Sequence, residues 1–342
     1  MARPSRVALA LGSGGARGYA HIGVIAELEA RGFEIVTVAG SSMGALVGGL
    51  YCAGKLDDYV DWISGLSQLD VVRLLDVSLT KPGVIGAERI LLRVREILGD
   101  TAIEDLPVPF TAVATDLNAG RAVWFQRGVL ADALRASIAI PGVISPHEHG
   151  GRLLADGGIL DPLPVAPTST VPSDVTIGVI IGSDGGPEAG ATREQKARGL
   201  LRRNVAPILD NEFIRAVRDR LGHEMPSGEA AASDAAVAAT GGGAVAVDAA
   251  AESGSVPSAE QVAPAFGVDE PARMGRVEVL SRSLDIMQEA LTRYQVAGYP
   301  PDVLIRVPRR TVRTLDFHKA SEMIELGRTL TARALDDLPE LP

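Results

Sequence analysis

A short turn between a buried strand and a hydrophobic helix constrains the fold of this chain most. Residues 33–39 are rich in β-branched side chains and indicate a buried strand, whereas residues 45–53 indicate a packed helix that Gly54 ends. Between them lies Gly40-Ser41-Ser42-Met43-Gly44, a G-x-S-x-G pattern. In this context the pattern is typical of a nucleophile elbow, a strained turn that raises the central hydroxyl above the sheet edge. Ser42 is therefore predicted to be a nucleophile.

The flanking glycines, Gly40 and Gly44, fit such an elbow, because a Cβ at either position would collide with the neighbouring strand or helix. The alternative is an ordinary strand-to-helix turn with a serine at the helix N-cap. Ser41 would serve as that cap equally well, so capping alone does not account for Ser42.

The rest of the chain alternates strands and helices. Strands are predicted over residues 7–11, 110–115, 122–125, 175–181 and 303–307, and helices over residues 19–30, 129–139, 277–297 and 318–335. Such alternation predicts an α/β fold, with a largely parallel sheet flanked by helices on both faces.

Three segments differ in composition. Residues 5–221 are predicted to form the main part of a catalytic domain, and residues 276–338 to complete the same domain. Residues 222–275 are dominated by Ala, Gly, Ser, Asp and Glu and contain no leucine or isoleucine. They bury too little apolar surface to offset the entropy of ordering, so a disordered insertion is expected there.

Composition narrows the functional classes. The 342 residues are 46% hydrophobic and only 4% aromatic, which favours aliphatic α/β packing. A net charge of -10 argues against nucleic acid as a partner. The single cysteine, Cys52, excludes an internal disulfide framework and a cysteine metal cluster. Neither a secretory signal nor a membrane span is evident, so a cytoplasmic location is expected, with contact at a membrane surface as a further option.

A glycine-rich loop follows the first strand. Its residues Gly14, Gly15, Ala16, Arg17 and Gly18 precede the first helix, where backbone N–H groups and the helix dipole favour negative charge. The loop is thus a candidate oxyanion hole. A dinucleotide site is the alternative, but its glycine register fails, since the third required glycine falls on Arg17. Arg17 itself suits either an anionic ligand or a structural salt bridge.

The base that would activate Ser42 has several candidates among the five histidines. His21 lies inside the first helix and is expected to be structural. His147 and His149 are expected in a loop, where they suggest a weak metal site that no further ligand cluster supports. His318 follows a late strand, where a serine hydrolase triad could place its histidine.

Asp156 is the other candidate base. It ends a hairpin-like strand over residues 151–156 and is followed by Gly157 and Gly158. The alternative is a plain Asp-Gly turn, which is common in proteins.

Taken together, the motifs around Gly14, Ser42 and Asp156 resemble, in order and spacing, those of patatin-like phospholipases. The chain is similar to bacterial members and to the catalytic domain of neuropathy target esterase, over residues 5–185 and again near residues 316–320. The resemblance implies a Ser42–Asp156 dyad, an oxyanion hole in the glycine loop, a lipid ester substrate, and no metal or cofactor. His318 then becomes a structural residue.

The loop departs at two positions from that of the plant patatins, whose Asp-Gly-Gly-Gly opening is Gly12-Ser13-Gly14-Gly15 here. The N–H donors remain, but the bracing of the loop differs. Two other functions stay open: a catalytically inactive lipid-binding or regulatory protein of the same fold, and a nucleotide-binding oxidoreductase.

Residues 193–221 interleave arginines and a lysine with aliphatic side chains. Such a basic amphipathic segment is able to lie on an anionic membrane. The alternative is a helix packed on the sheet with a solvated charged face.

Overall fold

The central feature is a mixed sheet. The computed structural model describes residues 5–66, 70–71, 88–183, 276–308, 311–312 and 316–337. Among these, eight strands form one sheet: β1 (Arg6–Leu11), β2 (Glu34–Ser41), β3 (Phe110–Asp116), β4 (Arg121–Phe125), β5 (His147–His149), β6 (Arg152–Asp156), β7 (Val175–Ser183) and β8 (Val303–Pro308). Their order is β5-β6-β3-β2-β1-β7-β8, and β4 pairs with β3.

The strands that surround β1 are parallel. β1 pairs with β2 and β7, β2 with β3, and β7 with β8 in this sense, whereas β3–β4, β3–β6 and β5–β6 are antiparallel. Parallel strands covered on both faces are near-continuous apolar runs, and β1 and β3 are buried along most or all of their length. The predicted largely parallel sheet is confirmed.

Seven α-helices are described around this sheet: α1 (Ala20–Ala30), α2 (Met43–Cys52), α3 (Leu56–Ser64), α4 (Glu88–Leu98), α5 (Leu130–Ser137), α6 (Arg276–Gly298) and α7 (Ala320–Asp336). Short 3-10 helices span Gly15–Tyr19, Ile103–Asp105, Gly157–Ile159, Ala166–Thr170 and Phe317–Lys319. The predicted boundaries of α1 and α7 shift by one or two residues because each follows a 3-10 turn.

Alternate residues of β1 point into two different clusters. Leu9 and Leu11 belong to the main core, together with side chains of α1, α2 and α7. Ala10 belongs to a smaller cluster with Leu163 and Ile180, against which Val296 of α6 packs. Since successive side chains of a strand point to opposite faces, helices cover both sides of the sheet, as predicted.

The described residues before position 184 and after position 275 belong to one compact unit. In it β8 pairs with β7. The basic segment 193–221 and the predicted insertion 222–275 lie outside the described residues. The domain boundaries therefore stay predictions.

The prediction of a loop around His147 and His149 is wrong. Both residues lie in β5, which forms an antiparallel hairpin with β6 through Gly150 and Gly151. Both glycines have positive φ, 58° and 74°, as a tight turn requires.

Candidate active site

Ser42 occupies a strained turn between β2 and α2. Its φ is 55° and its ψ is −123°, and it has the one positive φ of a non-glycine residue in the described ranges. Such a conformation costs roughly 1–3 kcal/mol and persists only where its surroundings hold it. A Cβ on Gly40 would lie 2.4 Å from the Gly44 backbone, and one on Gly44 would lie 2.1 Å from the Leu11 carbonyl oxygen. The close approach of backbone at this turn therefore requires both glycines.

Neither serine caps α2 with its side chain. Ser42 stands at the N-cap position without a side-chain capping hydrogen bond. Ser41 belongs to β2, and its hydroxyl donates to the backbone oxygen of Asp161 at 2.5 Å. Capping thus explains neither residue, and the Ser42 hydroxyl is directed elsewhere.

A buried serine on α5 supports the turn. The Ser42 backbone N–H donates to Ser137 Oγ at 2.9 Å, and the Ser137 hydroxyl donates to the Val113 carbonyl at 2.6 Å. Ser137 is fully buried. Sequence reasoning assigned this residue no role, and the signal available was a polar residue on the otherwise apolar face of a short helix.

Asp156 lies at the end of β6, within hydrogen-bond distance of Ser42. The Ser42 hydroxyl donates to Asp156 Oδ2 at 2.5 Å, and the Gly158 N–H donates to Oδ1 at 2.8 Å. The Asp156 backbone N–H donates to Ala139, and its carbonyl accepts from the Thr115 hydroxyl. The carboxylate is thereby fixed from both its side chain and its backbone.

Burial changes the chemistry of this carboxyl group. It raises the pKa of Asp156 to about 7, and hydrogen bonds from the Ser42 hydroxyl and the Gly158 N–H oppose the rise. A carboxylate with a pKa near neutral is a far better proton acceptor than one with the ordinary value near 4.

Gly157 and Gly158 leave room for this arrangement. A Cβ on Gly157 would lie 2.1 Å from the Val113 carbonyl oxygen, and one on Gly158 would lie 2.4 Å from Ser13 Oγ. The turn after Asp156 is thus wedged between β3 and the glycine loop.

Only part of the glycine loop lines the cavity that contains Ser42. Gly14 and Gly15 line the same cavity as Ser42 and Asp156. Ala16 is buried, and Gly18 packs against Met43, so neither of these residues lines the cavity.

Two N–H groups of the loop differ from those that precede them. Those of Gly12 and Ser13 donate to Val179 and Pro162 at 3.0 and 2.9 Å, whereas those of Gly14 and Gly15 make no such loop hydrogen bond within the described residues. Gly15 opens the 3-10 helix at a φ of 56°.

Arg17 forms a salt bridge. Its Nη2 lies 3.3 Å from Asp285 Oδ2, and its side chain is only 4% exposed. The guanidinium also lies against Gly182, where a Cβ would be 3.0 Å from Nη1. Of the two roles left open by the sequence, the structure shows the salt bridge.

The cavity is an open cleft above Ser42 and Asp156. The aliphatic part of its lining consists of Ile140, Pro141, Val143, Ile159, Leu280 and Leu284. Helix α6 supplies the last two, together with Asp285 and Gln288. Sequence reasoning missed the contribution of α6 entirely, because nothing local ties that helix to residues more than a hundred positions earlier.

The four histidines among the described residues do not line this cleft. His21 is fully buried in α1, and its Nε2 lies 2.8 Å from the Gly12 carbonyl oxygen. Burial lowers the pKa of His21 to about 4. The rings of His147 and His149 stack at 5.9 Å, and His318 lies on the 3-10 helix Phe317–Lys319. None of these four histidines lines the cavity.

The described residues include neither a metal-binding cluster nor a membrane-spanning helix. No group of three or more His, Cys, Asp or Glu side chains there is arranged to hold a metal ion. No helix described is both long enough and apolar enough to cross a bilayer.

Known proteins resemble the chain in sequence. The patatin-like phospholipase family matches residues 9–168. A protein of Mycobacterium tuberculosis named as an NTE family member is 51% identical over 345 residues, which covers 97% of this chain and 91% of that protein. Lysophospholipase nte1 of Emericella nidulans is 34% identical over 181 residues, 52% of this chain and 12% of that protein.

Among solved structures, VipD from Legionella pneumophila aligns with a TM-score of 0.43 at 14% identity, over 98% of this chain and 67% of that one. This likeness is too weak to support an argument.

The fold and the site define an α/β protein of the patatin type, with a serine at a strained turn beside a buried aspartate. The mycobacterial relative matches nearly the whole chain, and the chain belongs to the patatin-like phospholipase family, among the NTE family proteins. This confirms the family resemblance and the fold class predicted from the motifs. Membership supports lipid hydrolysis as the class of activity.

Proposed function

We propose that this protein hydrolyses carboxylic esters of lipids through a Ser42–Asp156 dyad and an acyl-serine intermediate. The observation that carries the proposal is the 2.5 Å hydrogen bond from the Ser42 hydroxyl to Asp156, made at a strained turn at the base of an aliphatic cleft. Nucleophile and base are within reach of each other, as covalent catalysis requires.

In the first step, Ser42 Oγ attacks the ester carbonyl carbon while its proton passes to Asp156 Oδ2. The carbonyl electron pair moves onto oxygen, and the N–H groups of Gly14 and Gly15 stabilise the resulting oxyanion. One such donor is worth about 3–4 kcal/mol of barrier reduction. When the bond to the alcohol breaks, Asp156 returns the proton to the departing oxygen.

In the second step, water attacks the acyl-Ser42 ester, and Asp156 accepts a proton from that water. The second tetrahedral intermediate collapses, Ser42 Oγ leaves and recovers the proton, and a fatty acid is released. The raised pKa of Asp156 suits both directions of transfer, since a base near neutral pKa accepts and returns a proton at similar cost.

The walls of the cleft and the relatives support the proposed substrate class. Six aliphatic residues line the cavity, and a fatty acyl chain is the part of a lipid ester that fits such a lining. The name of the Emericella nidulans relative makes lysophospholipids the first substrates to test.

The test is fatty-acid release by the purified full chain from lysophosphatidylcholine, phosphatidylcholine, a monoacylglycerol and a short soluble ester. We expect at least one lipid to be hydrolysed, the Ser42→Ala variant to be inactive, and the exposed-serine control Ser169→Ala to match the wild type. Equal release by Ser42→Ala and wild type would refute the proposal. Lipid binding without turnover would favour the inactive lipid-binding alternative.

A further inference from the structure

The outer face of α6 carries a row of exposed apolar side chains. Leu280, Met287 and Tyr294 are spaced seven residues apart and therefore share one stripe of the helix. Val279 and Ile286 flank it on the same side. Ile286 is 54% exposed and Met287 50% exposed, and the others are exposed as well. Such a contiguous apolar patch marks an interaction surface.

The opposite face of α6 is anchored to the body of the protein. The Gln295 side chain donates to the Leu160 carbonyl and to Asp161 Oδ1 at 3.1 and 3.0 Å. Thr292 is buried, and Leu284 lines the cavity. These contacts hold the helix in one orientation. Because its inner face is packed, the apolar stripe faces outward.

The most exposed charged side chains on the described part of α6 are basic. Among its described side chains, the exposed charged residues are Arg282 and Arg293. Asp285 pairs with Arg17 at 3.3 Å, and Glu289 pairs with the exposed Arg293 at 2.6 Å, which neutralises Arg293. Arg282 therefore supplies positive charge beside the apolar stripe, and an apolar face with a basic side chain suits an anionic lipid surface.

This face is continuous with the catalytic cleft. Leu280 is partly exposed and also lines the cavity, and its Cδ2 would lie 2.8 Å from a Cβ on Gly142 across the rim. A lipid surface resting on the stripe would meet the mouth of the cavity at Leu280. Tyr294 adds an amphipathic ring of the kind enriched at membrane interfaces.

We infer that the outer face of α6 docks onto an anionic lipid surface and delivers substrate lipid past Leu280 to Ser42. The inference rests on the proposed lipid esterase function for its purpose, but the docking itself is measured without catalysis. It differs from the prediction for residues 193–221, because it assigns membrane contact to α6.

The experiment is co-sedimentation of the full chain with vesicles of pure phosphatidylcholine and of equal parts phosphatidylcholine and phosphatidylglycerol. The wild type and Ser42→Ala are expected to bind the anionic vesicles equally and the neutral ones more weakly. The double variant Ile286→Ser with Met287→Ser should bind the anionic vesicles about tenfold more weakly or worse, because even one inserted aliphatic side chain contributes that much.

The matched control is Leu117→Ser, which removes an exposed leucine from the described surface outside α6 and should leave vesicle binding unchanged. Hydrolysis of a short soluble ester should be the same in the double variant as in the wild type, because Ile286 and Met287 do not line the cavity.

Wild-type binding by the double variant would overturn the inference and return attention to residues 193–221. Light scattering that shows a dimer for the wild type and a monomer for the double variant would also overturn the inference, because the outer face of α6 would then join two copies of the chain. Vesicle binding that depends on α6 without hydrolysis of any ester would refute the proposed function and leave the docking surface standing.

Discussion

Lowering the pH through the neutral range should switch off the acylation of Ser42. In the proposed dyad, Asp156 must be ionised to accept the serine proton, and burial raises the pKa of Asp156 to about 7. An aspartate of ordinary pKa near 4 would instead remain ionised well below neutral pH. The acid limb of the pH–rate profile therefore reports the environment of Asp156.

The size of the effect follows from the ionised fraction. With a pKa of about 7, roughly 1% of Asp156 is ionised near pH 5 and about nine-tenths near pH 8, so kcat/KM should fall about 100-fold between them. With the ordinary pKa, more than about nine-tenths would be ionised at both values, and the rate would scarcely change.

The assay is the pH dependence of kcat/KM for a short soluble ester, over a range in which circular dichroism shows the protein folded. Asp161→Asn is the matched control, since burial also raises the pKa of Asp161, to about 6, although that carboxyl does not line the cavity. The control should keep the acid limb of the wild type. An acid limb with a midpoint near pH 4 would refute the reasoning. Loss of the acid limb in Asp161→Asn would also refute it, because the limb would then report the ionisation of Asp161.

Three further predictions concern stability and specificity. Ser137→Ala leaves the buried Ser42 N–H without its acceptor, so chemical denaturation should show a free energy of unfolding lower by about 1–3 kcal/mol, and kcat should fall. The control is Thr331→Val, which removes a buried hydroxyl from α7 and should keep full activity. Asp156→Asn should be inactive yet more stable than the wild type above neutral pH, by at most about 4 kcal/mol. The reason is that the raised pKa of Asp156 makes the folding stability of the wild type fall as pH rises from about 4 to 7. A thermal melt at pH 8 in which the variant shows no gain over the wild type would contradict this. Leu284→Trp narrows the aliphatic cleft and should lower kcat/KM about tenfold for long acyl chains relative to short ones, which a chain-length series measures.

The local features of this fold could be predicted because each depends on residues close together in sequence. The strand, turn and helix around Ser42 occupy about twenty consecutive residues, and the small residues at Gly40 and Gly44 are needed by contacts that the local pattern already implies. The parallel sheet likewise follows from apolar runs that alternate with helices.

Features that depend on distant pairing could not be predicted. Asp285 meets Arg17 across 268 positions of sequence, and neither residue carries a pattern that indicates the other. Leu280 and Leu284 line the cleft because α6 lies over it, and the periodicity of α6 predicts a helix without saying which surface it covers. The pKa of Asp156 follows from burial, which the Asp-Gly-Gly turn does not encode.

Covalent labelling tests the proposed dyad most directly. The full chain, Ser42→Ala and Asp156→Asn are treated with a fluorophosphonate near pH 8, and the labelled peptide is mapped by mass spectrometry. The account predicts label on Ser42 in the wild type, none in Ser42→Ala, and much slower labelling in Asp156→Asn, because in the proposed dyad Asp156 activates the hydroxyl through their 2.5 Å hydrogen bond. Labelling of Asp156→Asn at the wild-type rate, or label at a residue other than Ser42, would contradict it.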